Sequence, residues 1–328
     1  MTQSTTNSPA SAAQGARPTS NRPIRIALVG IGKIAQDQHI PALRNDSSYE
    51  LVAAVSRSRG IEGLPRFADI ASLAQSGLAV DAVSFCTPPV GRYAMARAAL
   101  EAGFHVMLEK PPGATVAEVH DLAERARARG RTLFATWHSR ESAAVDPARD
   151  WLAQRTIKSV RTDWKEDIRH WHPGQDWILE PGGFGVFDPG INALSIMTTI
   201  LPERLRVQKA TLHFPSNRQA PIAAQIDLVH GTDTPVVVEL DFLKTGPQQW
   251  DIQVETNDGT LLLREGGRRL FINGEERVSA EDREYPRLYQ RFAALVAAGA
   301  SDVDVTPHQI VADAFMIGRR LEAAAFEF

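Results

Sequence analysis

Apolar runs alternate with helix-patterned segments along roughly the first 140 residues of the chain. The run Ile24–Val29 is rich in β-branched residues and predicts a buried parallel strand, which leads into a glycine-containing turn and a helical pattern to about Arg44. Further strands are predicted at 50–55, 80–86, 104–108 and 132–135, with helices at 92–102 and 116–129. Because strands that alternate with helices need crossover connections, this part predicts a doubly wound parallel sheet of the Rossmann type.

The pattern changes after about residue 140. A helix is predicted at 142–154, a strand at 157–166 and, after a loop rich in Trp and Gly, a helix at 183–199. Strands follow at 205–214, 222–229, 236–242 and 250–256, with hairpin-turn signals at 257–259 and 273–274 and final helices near 286–298 and 307–324. The expected α/β fold has a dinucleotide-binding domain over residues 23–140 and a substrate-binding α+β domain over residues 141–328, with a mainly antiparallel open sheet.

The expected open sheet also bears on whether the chain pairs with a second copy of itself. If one of its faces is uncovered and apolar, it would form an exposed patch of the kind that usually pairs, so a homo-oligomer through the C-terminal sheet is a candidate assembly.

The first 22 residues are predicted to form a disordered tail. They are rich in Ser, Thr, Ala, Asn, Gln and Pro, and they lack the apolar core of about 7–15 residues that a secretory signal needs. A native tail, an organelle transit peptide and a cloning remnant all stay open for this segment.

Charge and composition argue against several classes of protein. The net charge of −3 provides no basic excess for a nucleic acid backbone, and no run of about 18 apolar residues predicts a membrane span. Cys86 is the single cysteine, so no internal disulfide can form and a reducing compartment, the cytoplasm, is expected. His138, His170 and His172 lack acids or cysteines at ligand spacing, so no metal site is predicted.

A glycine motif, Gly30-x-Gly32-x-x-Ala35, lies between the first strand and the first helix. Gly30 permits a tight turn, Gly32 lets backbone amides approach a pyrophosphate at the helix N-terminus, and Ala35 allows close helix–strand packing. We therefore expect a dinucleotide to contact Gly30, Ile31, Gly32, Lys33 and Ile34. An ordinary turn that happens to contain two glycines is the alternative.

The residues after the second strand bear on the choice between NAD and NADP. An acid here would bind the ribose 2′-hydroxyl of NAD, but the chain has Ser56 and Arg57, which suit the 2′-phosphate of NADP. NADP is therefore favoured as the cofactor, and NAD stays open. A solvated loop without a ligand is the alternative.

Two further motifs lie at or near predicted strand ends, where ligands gather in a doubly wound sheet. Together with the glycine motif, Cys86-Thr-Pro-Pro89 and Glu109-Lys-Pro111 resemble the Gfo/Idh/MocA family of oxidoreductases, over about residues 24–325. The resemblance implies cofactor contacts from Thr87, Pro88, Glu109 and Lys110. It also makes Lys110 a candidate catalytic residue, because a lysine partly buried at a strand end can act as a base or as a hydrogen-bond donor.

A more detailed resemblance is to the bacterial L-arabinose 1-dehydrogenases of this family, which also accept D-galactose. The segments that carry it are Phe134-Ala-Thr-Trp-His-Ser-Arg140, Trp164-Lys-Glu-Asp167, Trp171-His-Pro-Gly174, Glu180-Pro-Gly-Gly183 and residues 186–195. The resemblance implies NAD(P)-dependent oxidation of an aldopyranose at the anomeric carbon to an aldonolactone. Two alternatives stay open: oxidation at another hydroxyl, as in inositol or 3-position sugar dehydrogenases, and a non-catalytic sugar sensor that binds dinucleotide.

Asp188 and Asn192 are four residues apart on the predicted helix 183–199, which puts both on one face. The resemblance implies catalytic roles for both, although many family members have His at the second position. Asn192 cannot exchange a proton at neutral pH, so either Lys110 or Asp188 is expected to exchange the proton with the substrate. Asn192 is expected to orient its neighbours. Helix capping by Asp188 and an ordinary polar contact of Asn192 are the alternatives.

Tryptophans are concentrated in one stretch, since five of the six lie between residues 137 and 177. Indole faces pack against pyranose C–H groups, while carboxylates and amides bind hydroxyls. The resemblance implies that the sugar contacts His138, Glu166, Trp171 and Trp250, together with Asp188 and Asn192. A hydrogen-bonded core position for His138 and a solvated strand end for Glu166 are the alternatives.

Overall fold

Six parallel strands form the first sheet: β1 (Ile24–Val29), β2 (Tyr49–Val55), β3 (Arg66–Phe67), β4 (Ala82–Phe85), β5 (His105–Leu108) and β6 (Leu133–Ala135). The computed structural model describes residues 22–328, so the predicted tail lies outside the described residues apart from Arg22. The strands pair in the order β3-β2-β1-β4-β5-β6, all in parallel. The predicted doubly wound parallel sheet is confirmed.

Helices connect these strands: α1 (Ile40–Arg44), α2 (Ile70–Gln75), α3 (Arg92–Glu101) and α4 (Val116–Ala128). A short π-helical turn, Ala35–His39, precedes α1 and starts at the last residue of the glycine motif. Because the carboxyl ends of parallel strands meet at one edge of a sheet, the loops after β1, β2, β4 and β5 lie at that edge. These four loops contain every cofactor-contacting position that the sequence predicts.

The second sheet has nine strands and is mainly antiparallel, as predicted. Its strands are β7 (Ile157–Lys165), β8 (Leu205–Pro215), β9 (Ala223–His230), β10 (Thr234–Asp241), β11 (Gln249–Thr256), β12 (Thr260–Arg264), β13 (Arg269–Ile272), β14 (Glu275–Ser279) and β15 (Arg319–Ala323). They pair in the order β14-β13-β12-β11-β7-β10-β9-β8-β15. Among these described strands, β7 with β10 and β8 with β15 are the parallel neighbours.

The end of the chain departs from the prediction. The later helices are α5 (Val145–Leu152), α6 (Ile168–Trp171), α7 (Phe187–Ile200), α8 (Glu284–Ala298) and α9 (Thr306–Ile317). The predicted helix 307–324 is wrong beyond residue 317, because Arg319–Ala323 is strand β15. Gly318 ends α9 with an extended backbone, φ −70° and ψ 134°, and so directs the chain to the edge of the sheet beside β8.

Two of the later helices border the residues that the sequence predicts to be functional. At Gly190 of α7, an added Cβ would lie 2.5 Å from the Leu240 side chain, so glycine allows the helix to lie close to β10. In contrast, α8 packs against the first sheet, through Tyr285, Leu288, Tyr289 and Phe292. A late segment of the chain therefore completes the core around the first sheet.

The face of the second sheet opposite α7 bears charged residues on β7 and β10. Arg161, Asp163 and Lys165 alternate with buried residues along β7 and therefore lie on its other face. Arg161 and Lys165 both pair with Glu239 of the neighbouring β10, at 2.8 and 2.6 Å. The expectation of an apolar patch is wrong at this part of the face, because ion pairs occupy it. Formation of a homo-oligomer stays a prediction.

Candidate active site

The glycine turn after β1 has the geometry that a dinucleotide needs. Gly30 has φ +86°, and an added Cβ would lie 2.6 Å from Cγ2 of Thr87. At Gly32 an added Cβ would meet nothing within 4 Å, so space is open beside this backbone. The Oγ1 atom of Thr87 is buried and has no hydrogen-bond partner within the described part of the chain. These features fit a bound pyrophosphate against the turn.

The other residues of the predicted cofactor turn differ in exposure. Ile31 is buried. Ile34 is 37% exposed, and Lys33 is exposed and pairs with Asp37.

The loop after β2 presents Ser56 and Arg57 at the same edge of the sheet. Oγ of Ser56 accepts hydrogen bonds from the backbone N–H groups of Ser58 and Arg59, at 3.4 and 3.2 Å. The exposed Arg57 is held at its carbonyl oxygen by the guanidinium of Arg66, at 3.2 Å. The loop thus combines a hydroxyl with exposed cations, the donor set that a 2′-phosphate favours.

A buried arginine joins the two remaining cofactor loops. Arg92 of α3 is 2% exposed, and its guanidinium donates hydrogen bonds to the carbonyl oxygens of Thr87, Glu109 and Pro111. Burial lowers the pKa of Arg92 to about 10, so the group stays charged at neutral pH. Arg92 therefore fixes the loop that contains Thr87 and the exposed Pro88 relative to the loop that contains Lys110. Arg92 is not among the site residues predicted from the sequence.

Lys110 and Asp188 meet between the two sheets. Nζ of Lys110 lies 3.2 Å from Oδ2 of Asp188 and donates a hydrogen bond to its backbone carbonyl oxygen at 2.9 Å. Lys110 follows β5, whereas Asp188 is on the first turn of α7. Both side chains are largely buried, with 14% and 5% exposed. The structure thus brings together Lys110 and Asp188, one of which is predicted to accept the proton of the substrate.

Asn192 lies one turn further along α7. Its Oδ1 atom is buried and has no hydrogen-bond partner among residues 22–328. A buried amide oxygen without a partner costs about 1–3 kcal/mol, which a hydroxyl or amide donor of a ligand would offset. Asn192 therefore fits the predicted role of an orienting group.

Glu109 lies in a buried hydrogen-bond network. Its Oε1 accepts a hydrogen bond from the Tyr285 hydroxyl at 2.7 Å and lies 3.1 Å from Nε2 of His39, while Oε2 accepts the Lys110 backbone N–H at 2.8 Å. Burial alone would raise the pKa of Glu109, but the hydrogen bond and charge of His39 outweigh it and hold the pKa well below its usual range. The ionised carboxylate thus fixes the backbone of Lys110. His39 and Tyr285 are not among the site residues predicted from the sequence.

Three of the predicted sugar contacts cluster at the end of β7. Glu166 is 2% exposed, and its Oε2 accepts a hydrogen bond from Nε1 of Trp250 at 2.8 Å. Its Oε1 lies 3.1 Å from Nε2 of His172, and the Trp171 ring centroid lies 5.0 Å from that of Trp250. The two indoles form a partly exposed aromatic surface beside the buried carboxylate, an arrangement that suits a pyranose.

His138, the fourth predicted sugar contact, lies against α8. Its Nδ1 is 2.5 Å from Oε2 of Glu284, and its ring stacks on Tyr285 with centroids 5.5 Å apart. Burial lowers the pKa of His138, but the charge and hydrogen bond of Glu284 outweigh it, and the pKa is raised above its usual value.

Residues 22–328 contain neither a candidate metal cluster nor a helix suited to cross a membrane. No group of three His, Cys, Asp or Glu side chains in this part of the chain is arranged to hold a metal ion. Within the same residues, no helix combines the length and apolar character needed to cross a membrane.

Comparison with known proteins bears on the family. Residues 24–136 match the sequence model of an oxidoreductase family with an NAD-binding Rossmann fold, Gfo/Idh/MocA. Over 317 residues the chain is 44% identical to galactose 1-dehydrogenase of Pseudomonas fluorescens, covering 93% of this chain and 99% of that protein. The chain belongs to the Gfo/Idh/MocA family. It is therefore an oxidoreductase, as the sequence motifs predict.

Solved structures agree with this assignment. The crystal structure of D-galactose-1-dehydrogenase protein from Rhizobium etli is 51% identical, with a TM-score of 0.90 over 94% of this chain and 99% of that chain. A variant of a 3-ketoreductase from Actinomadura kijaniata, solved with NADP, is 20% identical with a TM-score of 0.80 over 92% of this chain and 99% of that chain. The second likeness shows the shared fold alone.

Proposed function

We propose that this oxidoreductase converts an aldopyranose, D-galactose or L-arabinose, to its aldonolactone by oxidation at C1, with NADP favoured over NAD. The observation that carries the proposal is the contact of Lys110 with Asp188 between the two sheets, 3.2 Å apart. Relatives at 44% and 51% identity over nearly the whole chain bear the name galactose 1-dehydrogenase, which supports the choice of substrate and carbon.

The residues present can manage the proton of a C1 hydroxyl. The nicotinamide of a bound dinucleotide supplies the hydride acceptor. Either the Asp188 carboxylate or a neutral Lys110 amine accepts the hydroxyl proton, and a charged Lys110 stabilises the oxygen as negative charge develops on it. Asn192 orients the hydroxyl through its unpartnered Oδ1.

The remaining residues of the site bind the dinucleotide and the sugar. The open backbone at Gly32 and the buried Oγ1 of Thr87 hold the dinucleotide, while Ser56 and Arg57 bind its 2′-phosphate. Glu166, Trp171 and Trp250 bind the sugar by hydrogen bonding and by packing of its C–H face, and His138 binds a further hydroxyl.

The direct test follows NADPH absorbance with D-galactose, L-arabinose and other aldoses as substrates. D-Galactose deuterated at C1 is expected to react more slowly in the hydride-transfer step, and the product is expected to be a lactone. Methyl β-D-galactopyranoside is the matched control, because its C1 oxygen is blocked while its other hydroxyls are intact. Turnover of the methyl glycoside would place the oxidation at another hydroxyl. Dinucleotide binding without turnover of any aldose would indicate a sensor.

A further inference from the structure

The first residue of α8 contacts a side chain that lies 146 positions earlier in the chain. Oε2 of Glu284 lies 2.5 Å from Nδ1 of His138, and Oε1 accepts a hydrogen bond from Oγ of Ser142, also at 2.5 Å. Both carboxylate oxygens are therefore engaged, and Glu284 is only 12% exposed. A carboxylate held at both oxygens has little freedom, so it defines the position of its histidine partner.

The neighbouring residue of α8 restricts the same imidazole from another side. The Tyr285 ring lies nearly parallel to His138, at an interplanar angle of 21°, while its hydroxyl donates to Glu109. Stacking restricts rotation of the imidazole out of its plane, and the bond to Glu284 restricts its rotation within that plane. The two adjacent residues Glu284 and Tyr285 thus hold His138 in one orientation.

The carboxylate of Glu284 determines which ring nitrogen of His138 can bind a ligand. An ionised carboxylate only accepts hydrogen bonds, so Nδ1 of His138 carries a proton whether the ring is neutral or charged. Nε2 is then the atom left for a ligand, as an acceptor in the neutral ring and as a donor in the charged ring.

We propose that Glu284 is a positioning residue for sugar binding, whose carboxylate fixes His138 through Nδ1 and leaves Nε2 for a hydroxyl of the sugar. The inference rests on the proposed function for the identity of the ligand. Glu284 is not among the catalytic, cofactor-binding or sugar-binding residues predicted from the sequence. The proposal therefore assigns a role to the first residue of α8.

Kinetics of single and double variants test this role. Glu284→Gln keeps the size of the side chain but removes its charge, and is expected to raise the KM for the sugar by about tenfold, with little change in the NADPH dissociation constant. His138→Gln is expected to have a similar or larger effect. If Glu284 acts through His138, the double variant has the KM of His138→Gln alone. Additive effects of the two changes would overturn the proposal.

Two further variants serve as a matched control and as a replacement for Glu284→Gln. Glu281→Gln removes an exposed carboxylate three residues earlier and is the matched control, expected to leave the KM unchanged. If Glu284→Gln does not fold, Glu284→Asp retains the charge but shortens the reach to Nδ1, and the same double-variant comparison applies to it. Thermal unfolding of each variant separates loss of folding from loss of sugar binding.

A second measurement does not depend on the sugar. The charges facing His138 are Glu284 of α8, Glu109 after β5 and Lys110 beside it; the two carboxylates raise the pKa of His138, and the lysine lowers it. NMR titration of the labelled imidazole is expected to show a lower pKa of His138 in Glu284→Gln than in the unaltered protein. An unchanged pKa would overturn the positioning contact itself. A lowered pKa in a protein that oxidises no sugar would instead reject only the proposed function.

Discussion

Nζ of Lys110 lies 3.2 Å from Oδ2 of Asp188, and the two residues come from the loop after β5 of the first sheet and from helix α7, which packs on the second sheet. Groups that pass a proton must lie within hydrogen-bond reach of the reacting atom in the complex, and this pair places two such groups at one point. Arg92 and Glu109 fix the loop of Lys110, while Gly190 lets the helix of Asp188 approach its sheet. The fold thus determines where the proposed chemistry takes place.

The two glycines of the cofactor turn are expected to respond differently to alanine. Gly30→Ala should lower the free energy of unfolding by more than about 1 kcal/mol, because φ is +86° and the new Cβ would lie 2.6 Å from Thr87. Gly32→Ala should leave stability nearly unchanged, because its Cβ would point into open space, but should weaken dinucleotide binding at least tenfold. Urea unfolding and NADPH fluorescence titration measure the two effects. Equal behaviour of both variants would contradict this view of the turn.

Arg57 is expected to decide between the cofactors. Arg57→Ala should raise the KM for NADP far more than the KM for NAD, because the guanidinium is expected to bind the 2′-phosphate that only NADP carries. Steady-state kinetics with each cofactor give the comparison. Arg44→Ala is a matched control, since it removes an exposed arginine at the end of α1, after the glycine turn. Equal effects of Arg57→Ala on NADP and NAD would reject the assignment.

Arg92 is expected to stabilise the loops around the site. Arg92→Met should lower the free energy of unfolding by about 3 kcal/mol, because two buried carbonyl oxygens and one partly buried carbonyl oxygen lose their donor. It should also lower kcat, since the loop of Lys110 is no longer fixed. Arg97→Met, on the exposed side of the same helix, is the control and should have little effect. Equal stability of the Arg92 and Arg97 variants in urea would show that the buried contacts do not matter.

The indole N–H of Trp250 is expected to support sugar binding through Glu166. Trp250→Phe keeps an aromatic ring but removes the hydrogen bond to Oε2 of Glu166, and should raise the KM for the sugar by about tenfold with a smaller change in kcat. Trp151→Phe, whose ring packs under the guanidinium of Arg155, serves as the control. A KM equal to that of the unaltered protein would place Trp250 outside the sugar site.

The sequence predicted the two sheets because local patterns specify them. Apolar runs alternate with helical segments before residue 140, and the strand-end rule then located Lys110 at the edge of the first sheet. Placing Lys110 against Asp188 needed the family resemblance as well, because helix spacing alone does not say which face of α7 meets the first sheet. The roles of these residues stay predictions.

The parts that could not be predicted depend on contacts between distant segments. Residues after Ile317 keep an apolar spacing typical of a helix, but Gly318 and pairing with β8 make them a strand, so tertiary pairing overrides local propensity. Gly318 itself was a usable signal for the helix end. Glu284 gave no signal, because its contact with His138 exists only once α8 packs on the first sheet.

Asp188 and Asn192 are expected to differ in their effect on turnover. Asp188→Asn should lower kcat by about 10²–10⁴-fold, the usual loss when a positioned acid–base group is removed, whereas Asn192→Ala should cost less because it supplies orientation only. Steady-state kinetics with D-galactose measure both. An Asn192 variant more impaired than the Asp188 variant would reverse the assignment of their roles.

The turnover number of Lys110→Met shows whether the contact between Lys110 and Asp188 handles the proton of the C1 hydroxyl. This change removes the amine but keeps much of the side-chain volume. The expected kcat is lower by about 10²–10⁴-fold, with an NADPH dissociation constant changed only a few fold. Normal turnover of Lys110→Met with D-galactose or L-arabinose would contradict this role of the contact.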